Sequence, residues 1–227
     1  MKRRRWDAIL SRVPNQQKIV GVEVGVWDGK LSNRLLSARQ ELTLYMVDPW
    51  KAAEEGSSFA ESGAQMAEYS QERFDLSKDR AKEVAMRYGR RARIVEADSV
   101  EAAGEIQGRK VSPDFVFIDG DHSYEGVKRD LEAWAPLIGS DALFIGGHDY
   151  ENNHGEVKRA VDEYFGEDAV EVDDDHTWFV KAENVRKRRK AAVQRKMSRK
   201  SSKESQEDPR VHERPEPTTE PPESREE

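Results

Sequence analysis

The sequence predicts an α/β fold, a doubly wound and mainly parallel sheet of seven strands with helices on both faces, followed by a charged tail. Three observations predict it. Apolar runs of strand length alternate with segments of helical period from Ile19 to Lys181, the pattern of parallel strands joined by crossover helices. The first apolar run leads through glycines into a helix start, as at the carboxyl edge of such a sheet. The length, 227 residues, suits one domain with a full core and would be crowded for two.

Taken in order, the strands are expected at Ile19 to Val24, Leu42 to Val47, Ala92 to Glu96, Phe115 to Asp119, Ala142 to Gly146, Ala169 to Val172 and Thr177 to Lys181. Helices are expected at Leu31 to Ala38, Leu76 to Arg87, Ser99 to Ile106, Glu125 to Leu137 and Val157 to Phe165. Val127, Leu131, Trp134 and Ile138 carry the spacing of one buried helical stripe. The stretch Lys51 to Asp75 breaks the alternation. It is long for a connection and carries Phe59, Met66, Tyr69 and Phe74, so it reads either as a substrate-covering loop or as a plain inserted helix.

Composition divides the chain into an N-terminal basic and amphipathic segment (1–15), the α/β domain (16–183) and a charged tail (184–227). In the tail, Arg186 to Lys190 with Arg195, Lys196, Arg199 and Lys200 form a basic run, helical from Val185 to Met197, and Ser201 to Glu227 is acidic and Pro-rich. Such a segment buries too little apolar surface to offset chain entropy and is expected to be disordered. No window approaches the run of about 18 apolar residues that spans a bilayer, and Met1 to Arg5 precede an amphipathic rather than an apolar segment, so no membrane partner and a cytoplasmic location are expected. With no cysteine, disulfides, thiolate metal sites and cysteine nucleophiles are excluded. The net charge of -7 argues against a nucleic-acid grip by the whole chain and leaves only the basic run at 186–200 as a place for one.

The chemistry-bearing residues collect at strand ends. In Val22-Glu-Val-Gly-Val-Trp-Asp-Gly-Lys-Leu-Ser32, Gly25 and Gly29 allow close approach of backbone to a ligand, and Glu23 is placed to accept a hydrogen bond from a cationic amine. The dinucleotide pattern G-x-G-x-x-G fails, because Trp27 and Lys30 stand where its second and third glycines belong, which weakens a nicotinamide oxidoreductase reading. Asp48 follows about 20 residues after the glycine loop, at the neighbouring strand tip where a ribose diol is gripped. Asp98 ends the third strand, either as an acceptor for an adenine amino group or as the cap of the helix at Ser99. Asp119 and Asp149 end the fourth and fifth strands and suit a magnesium ion (Mg2+), unless Asp121 and His122 simply cap a helix and His148 packs against the loop. His122 and His148 are the general-base candidates. Asp173 to His176 look ligand-like but read as a solvated hairpin.

Val22 to Ser32 together with Phe117-Ile-Asp-Gly-Asp-His-Ser-Tyr-Glu-Gly-Val-Lys-Arg-Asp-Leu131 resemble the class I S-adenosylmethionine-dependent methyltransferases. Within them the chain is similar to the branch of macrocin-type O-methyltransferases and cephalosporin hydroxylase-like proteins over Ile19 to Lys181. The resemblance implies a Rossmann-like sheet whose last strand is antiparallel, and S-adenosylmethionine at Glu23, Gly25, Gly29, Asp48 and Asp98, with Trp27, Ser99 and Asp119 beside them. It implies catalysis around Asp119 and His122, with His148 nearby, and a small-molecule or sugar hydroxyl as acceptor. Magnesium in some members maps onto Asp119 and Asp149, and here His148 stands where an acid is often found. A scaffold that binds the cofactor and works through its charged tail is the competing class.

Overall fold

The computed structural model describes residues 3–61, 65–139, 141–151, 155–191 and 194. Residues Met1–Lys190 form one compact unit, and Ala191–Glu227 are set apart as a second, nearly all of which lies outside the described residues. The expected tail disorder and the end of its basic run, Arg195, Lys196, Arg199 and Lys200, lie outside the described residues. Within the description, 182–190 are helical, so the helix expected from Val185 begins earlier.

The chain opens with helix α1 (Arg5–Leu10), strand β1 (Ile19–Val24), helix α2 (Lys30–Ala38) and strand β2 (Leu42–Val47). Next come a short helix α3 (Ser58–Glu61), a single 3-10 turn, the long helix α4 (Gln71–Tyr88), strand β3 (Ala92–Val95), helix α5 (Ser99–Gly108), strand β4 (Phe115–Ile118) and helix α6 (Tyr124–Trp134). Strand β5 (Phe144–Gly147), helix α7 (Glu156–Phe165), strand β6 (Glu171–Asp173) and strand β7 (Thr177–Lys181) complete the unit. The seven strands form one sheet in the order β3-β2-β1-β4-β5-β7-β6, with β7 antiparallel to both neighbours and the remaining pairs parallel. This is the doubly wound, mainly parallel sheet with an antiparallel last strand that the sequence predicts.

Both faces of the sheet are covered, which is why its strands read as almost continuous apolar runs. On one face Val22, Val24, Val116, Ile118 and Ile145 pack against Leu131 and Trp134 of α6 and Val161 of α7. On the other, Met46, Phe115, Phe117, Phe144 and Phe179 pack against Leu35 and Leu36 of α2, Ala81 of α4 and Ile9 of α1. Residues 3–15 contribute to that second face. Ala8, Ile9 and Val13 are all buried, and α1 is part of the core's second face.

The structure moves several boundaries. β5 starts at Phe144 and not Ala142, and β6 starts at Glu171 because Glu167–Ala169 close a 3-10 turn first. α4 starts at Gln71, where the amide of Gln71 bonds the Trp50 carbonyl (2.9 Å) and fixes the end of the long connection. Val127, Leu131 and Trp134 on α6 are buried as expected, as is Ile138, which follows the 3-10 turn (Ala135–Leu137) where α6 ends short of Leu137. No described helix is long and apolar enough to cross a membrane.

Candidate functional site

Parallel strands deliver their carboxyl ends to one edge, and there β1, β2, β3 and β4 frame a cavity of about 530 Å³. That volume is in the range of small-molecule and cofactor sites. Gly25, Trp27, Asp48, Asp98, Ser99 and Asp119 all line it, so six of the residues expected to touch cofactor meet in one place. The long connection also reaches it through Lys51, Ser57, Phe59 and Met66, which places that segment over the cavity.

Asp48 organises the rim. Its Oδ2 accepts from the Trp27 backbone N–H (2.9 Å) and its Oδ1 from that of Trp50 (2.7 Å), while the Trp50 indole donates to the Trp27 carbonyl (2.8 Å). Burial pushes the Asp48 carboxyl up against the pull of those backbone donors. Trp27 holds a left-handed φ of 53° and packs edge-on against Phe74 of α4. Gly25 sits at φ 87°, and a Cβ there would lie 2.2 Å from the Asp119 carbonyl oxygen, so the tips of β1 and β4 close together only because this residue is glycine. Asp98 does cap α5, accepting from the Val100 N–H (2.9 Å), while still lining the cavity.

Two residues expected at the cofactor, Glu23 and Gly29, do not line the cavity. Glu23 is 1% exposed and does not line the cavity; its Oε2 accepts from the Ser32 hydroxyl at 2.5 Å. Burial pushes its carboxyl up to about 8, with Asp119 and Asp48 adding to the effect and Ser32 and Arg5 opposing it. Gly29 caps α2 at φ 74°, and the space where its Cβ would stand belongs to Ala81 and Val84 of α4. Its lack of a side chain leaves that space to α4.

The cavity is strongly acidic: Asp48, Glu54, Glu96, Asp98, Glu101, Asp119, Asp121 and Asp130 line it against Lys51 and Arg129. Asp130 was not legible as a site residue. It is 2% exposed on α6, its Oδ1 has no hydrogen-bond partner, and burial pushes it up to about 7 although Ser99 bonds to it. Ser99 in turn accepts from the Trp134 indole (2.9 Å).

Beside Asp119 a second cluster forms between the tips of β4 and β5. His122 Nε2 lies 3.6 Å from Asp119 and 3.3 Å from Asp149; His148 Nδ1 lies 3.2 Å from Asp149 and 3.8 Å from Asp119. Burial pulls both imidazoles down, but the neighbouring carboxylates, Asp119 foremost for His122 and Asp149 with Asp119 for His148, outweigh it and hold both above the ordinary histidine value. Asp149 is held below the usual carboxylate range: burial raises it, and His148 and His122 more than reverse that. The helix cap expected of Asp121 and His122 is made by Ser123, whose Oγ accepts from the Gly126 N–H (3.0 Å).

Sequence reasoning missed Arg5. Its guanidinium pairs with Asp119 Oδ2, and its backbone N–H donates to Asp175 Oδ2 (3.2 Å). Arg3 and Arg12 bind Asp173 at 3.2 and 3.1 Å, and His148 Nε2 is 3.8 Å from Asp175. The hairpin Asp173 to His176 is thus an anchored dock for the N-terminal arginines and not a solvated turn. The only available signal was a basic start and an acidic hairpin, which proximity in sequence does not connect. Asp119, His122 and Asp149 bring three ligand atoms within 4.8 Å of one another. They fit magnesium poorly, because one donor is an imidazole and a guanidinium already neutralises one of the two carboxylates.

A protein-family model described as a methyltransferase domain matches residues 22–150, more than half of the chain. No curated protein matches in sequence. Among solved structures, the chain is similar to CalS11, a calicheamicin methyltransferase, with 16% identity, coverage of 78% of this chain and 76% of that one, and a TM-score of 0.59. It is also similar to precorrin-6y C5,15-methyltransferase from Geobacter metallireducens GS-15, with 15% identity, coverage of 74% and 71%, and a TM-score of 0.50. At such identities the likeness is one of fold.

Proposed function

The chain belongs to the methyltransferase-domain family, and from that premise we propose that it transfers a methyl group from S-adenosylmethionine to a hydroxyl of a small molecule or sugar. The observation that carries the reading is the acidic cavity in which Gly25, Asp48 and Asp98 meet at the carboxyl edge of β1, β2 and β3. Its excess of carboxylates favours a ligand of net positive charge, as a sulfonium nucleoside with an amino-acid end is, and disfavours the pyrophosphate of a dinucleotide. CalS11 is also described as a TDP-rhamnose 3'-O-methyltransferase, and a sugar hydroxyl is accordingly the acceptor class we favour.

The chain's own residues divide the work. Asp48 would hold a ribose diol, and Asp98 and Ser99 would flank the base; the cofactor, when bound, supplies a methyl group activated by its sulfonium. An in-line displacement needs alignment more than covalent help. Asp119 lines the cavity and touches the histidine cluster, so a hydroxyl placed beside it is within reach of an imidazole. His122 or His148, neutral, takes the hydroxyl proton as oxygen attacks; Asp149 orients both imidazoles.

The test is calorimetric titration of the full chain with S-adenosylmethionine, repeated with Asp48→Ala and with nicotinamide dinucleotides. Binding that Asp48→Ala abolishes, with no heat from the dinucleotides, is the expected result. A folded protein that gives no heat with S-adenosylmethionine would overturn the reading.

A further inference from the structure

The histidine cluster holds an imbalance of charge that its own strands do not correct. Asp119, Asp149 and Asp175 converge there, and among the described residues the one permanent cation beside them, Arg5, comes from α1, far from them in sequence. Its place is determined three times over: by Asp119 at the guanidinium, by Asp175 at its backbone N–H, and by the burial of Ala8 and Ile9 one turn along the helix. Arg3 and Arg12 clamp the segment to Asp173 on either side. Asp119 takes only one of the five N–H groups a guanidinium offers, and 34% of the side-chain surface is still accessible.

We propose that Arg5 is the fixed cation of this reaction centre, standing at Asp119 in place of a divalent ion, so that the chain's methyl transfer proceeds without a metal. The proposal rests on the methyltransferase reading above. It assigns Arg5 two tasks. The guanidinium stabilises negative charge that grows on the acceptor oxygen as its proton leaves for an imidazole, which is the electrostatic task of a metal in such a site. Its charge also repels a dication from the Asp119–Asp149 pair, since like charges a few ångström apart in a partly buried site interact strongly.

The experiment titrates the full-length protein with Mn2+ and follows the free ion by electron paramagnetic resonance, a readout independent of any acceptor. Wild type, Arg5→Met, Arg5→Lys and the double variant Arg5→Met with Asp119→Asn are compared, with thermal unfolding as a check that α1 stays docked. Arg5→Met is expected to bind Mn2+ at least ~10-fold more tightly than wild type, about 1.4 kcal/mol; Arg5→Lys should stay near wild type, and the double variant should lose the gain. If wild type binds Mn2+ within about twofold of Arg5→Met, or if Asp119→Asn leaves the gain intact, the proposal is overturned. A parallel titration with S-adenosylmethionine separates the two readings: its failure sinks the methyltransferase assignment, while the Mn2+ comparison still decides what Arg5 does.

Discussion

The buried Glu23 makes a sharp demand on stability. Its carboxyl, ordinarily near 4.5, is pushed up to about 8, chiefly by burial on the core side of β1. A raised acid in the folded state means that between these two values the native protein holds a proton the unfolded chain has already released. Stability is therefore full below about pH 4.5 and falls as pH rises toward 8, beyond which the whole penalty has been incurred. The interval from 4.5 to about 8, at about 1.4 kcal/mol for each pH unit, sets that penalty near 5 kcal/mol. Glu23→Gln keeps the shape and a partner for the Ser32 hydroxyl but cannot ionise. Urea unfolding of both proteins at pH 5, 7 and 9 should show the variant gaining on wild type at each step, by a total of several kcal/mol. Asp130 titrates in both proteins and cancels in the difference, and Asp48 enters it only through its coupling to Glu23. A stability difference that stays constant across this range would refute the burial argument.

Gly25→Ala should cost at least ~3 kcal/mol in denaturant unfolding, since a Cβ would meet the Asp119 carbonyl oxygen at 2.2 Å from a left-handed backbone. Ser123→Ala removes the cap of α6 and should cost about 1 kcal/mol in the same measurement, leaving the Mn2+ response unchanged. Proton NMR titration of the imidazole resonances should place the midpoints of His122 and His148 above 6.5, and Asp149→Asn should lower both. Ile9→Ala, at a residue that can ligate nothing, should loosen α1 by about 2–5 kcal/mol and, in the electron paramagnetic resonance titration, tighten Mn2+ binding as Arg5→Met does.

Most of the sheet was legible because its inner strands are buried on both faces and read as nearly unbroken apolar runs. β1, β2 and β7 match to the residue. β6 does not: Val172 is 46% exposed on an edge strand of three residues, so burial left little mark on its sequence. Asp48, Asp98 and Asp119 were legible for a related reason, since a parallel strand must end at the ligand edge and the acid that follows it stands there. Glu23 and Gly29 illustrate the opposite case. Their residue types suggest ligand contact, but whether a strand-end side chain turns to the cavity or to the core depends on the pleat, and Glu23 falls on the α2 side with Met46 and Phe117 as its strand neighbours. Arg5 and Asp175 were illegible because their meeting joins residues 170 apart.

This division has a physical source. Acids collect at the carboxyl edge of these parallel strands, and two of them also serve the backbone that follows: Asp98 caps α5, and Asp121 Oδ1 takes the Ser123 N–H (2.9 Å) before α6. With Asp48 and Asp119 they make a field of negative charge at that edge that no single connection balances. The balancing charge comes from elsewhere: from the two imidazoles, and from a guanidinium on α1, outside the strand-helix repeat. The acidic edge of this sheet thus favours cationic partners, and the guanidinium that stands at Asp119 comes from α1, a segment the strand-helix repeat does not specify.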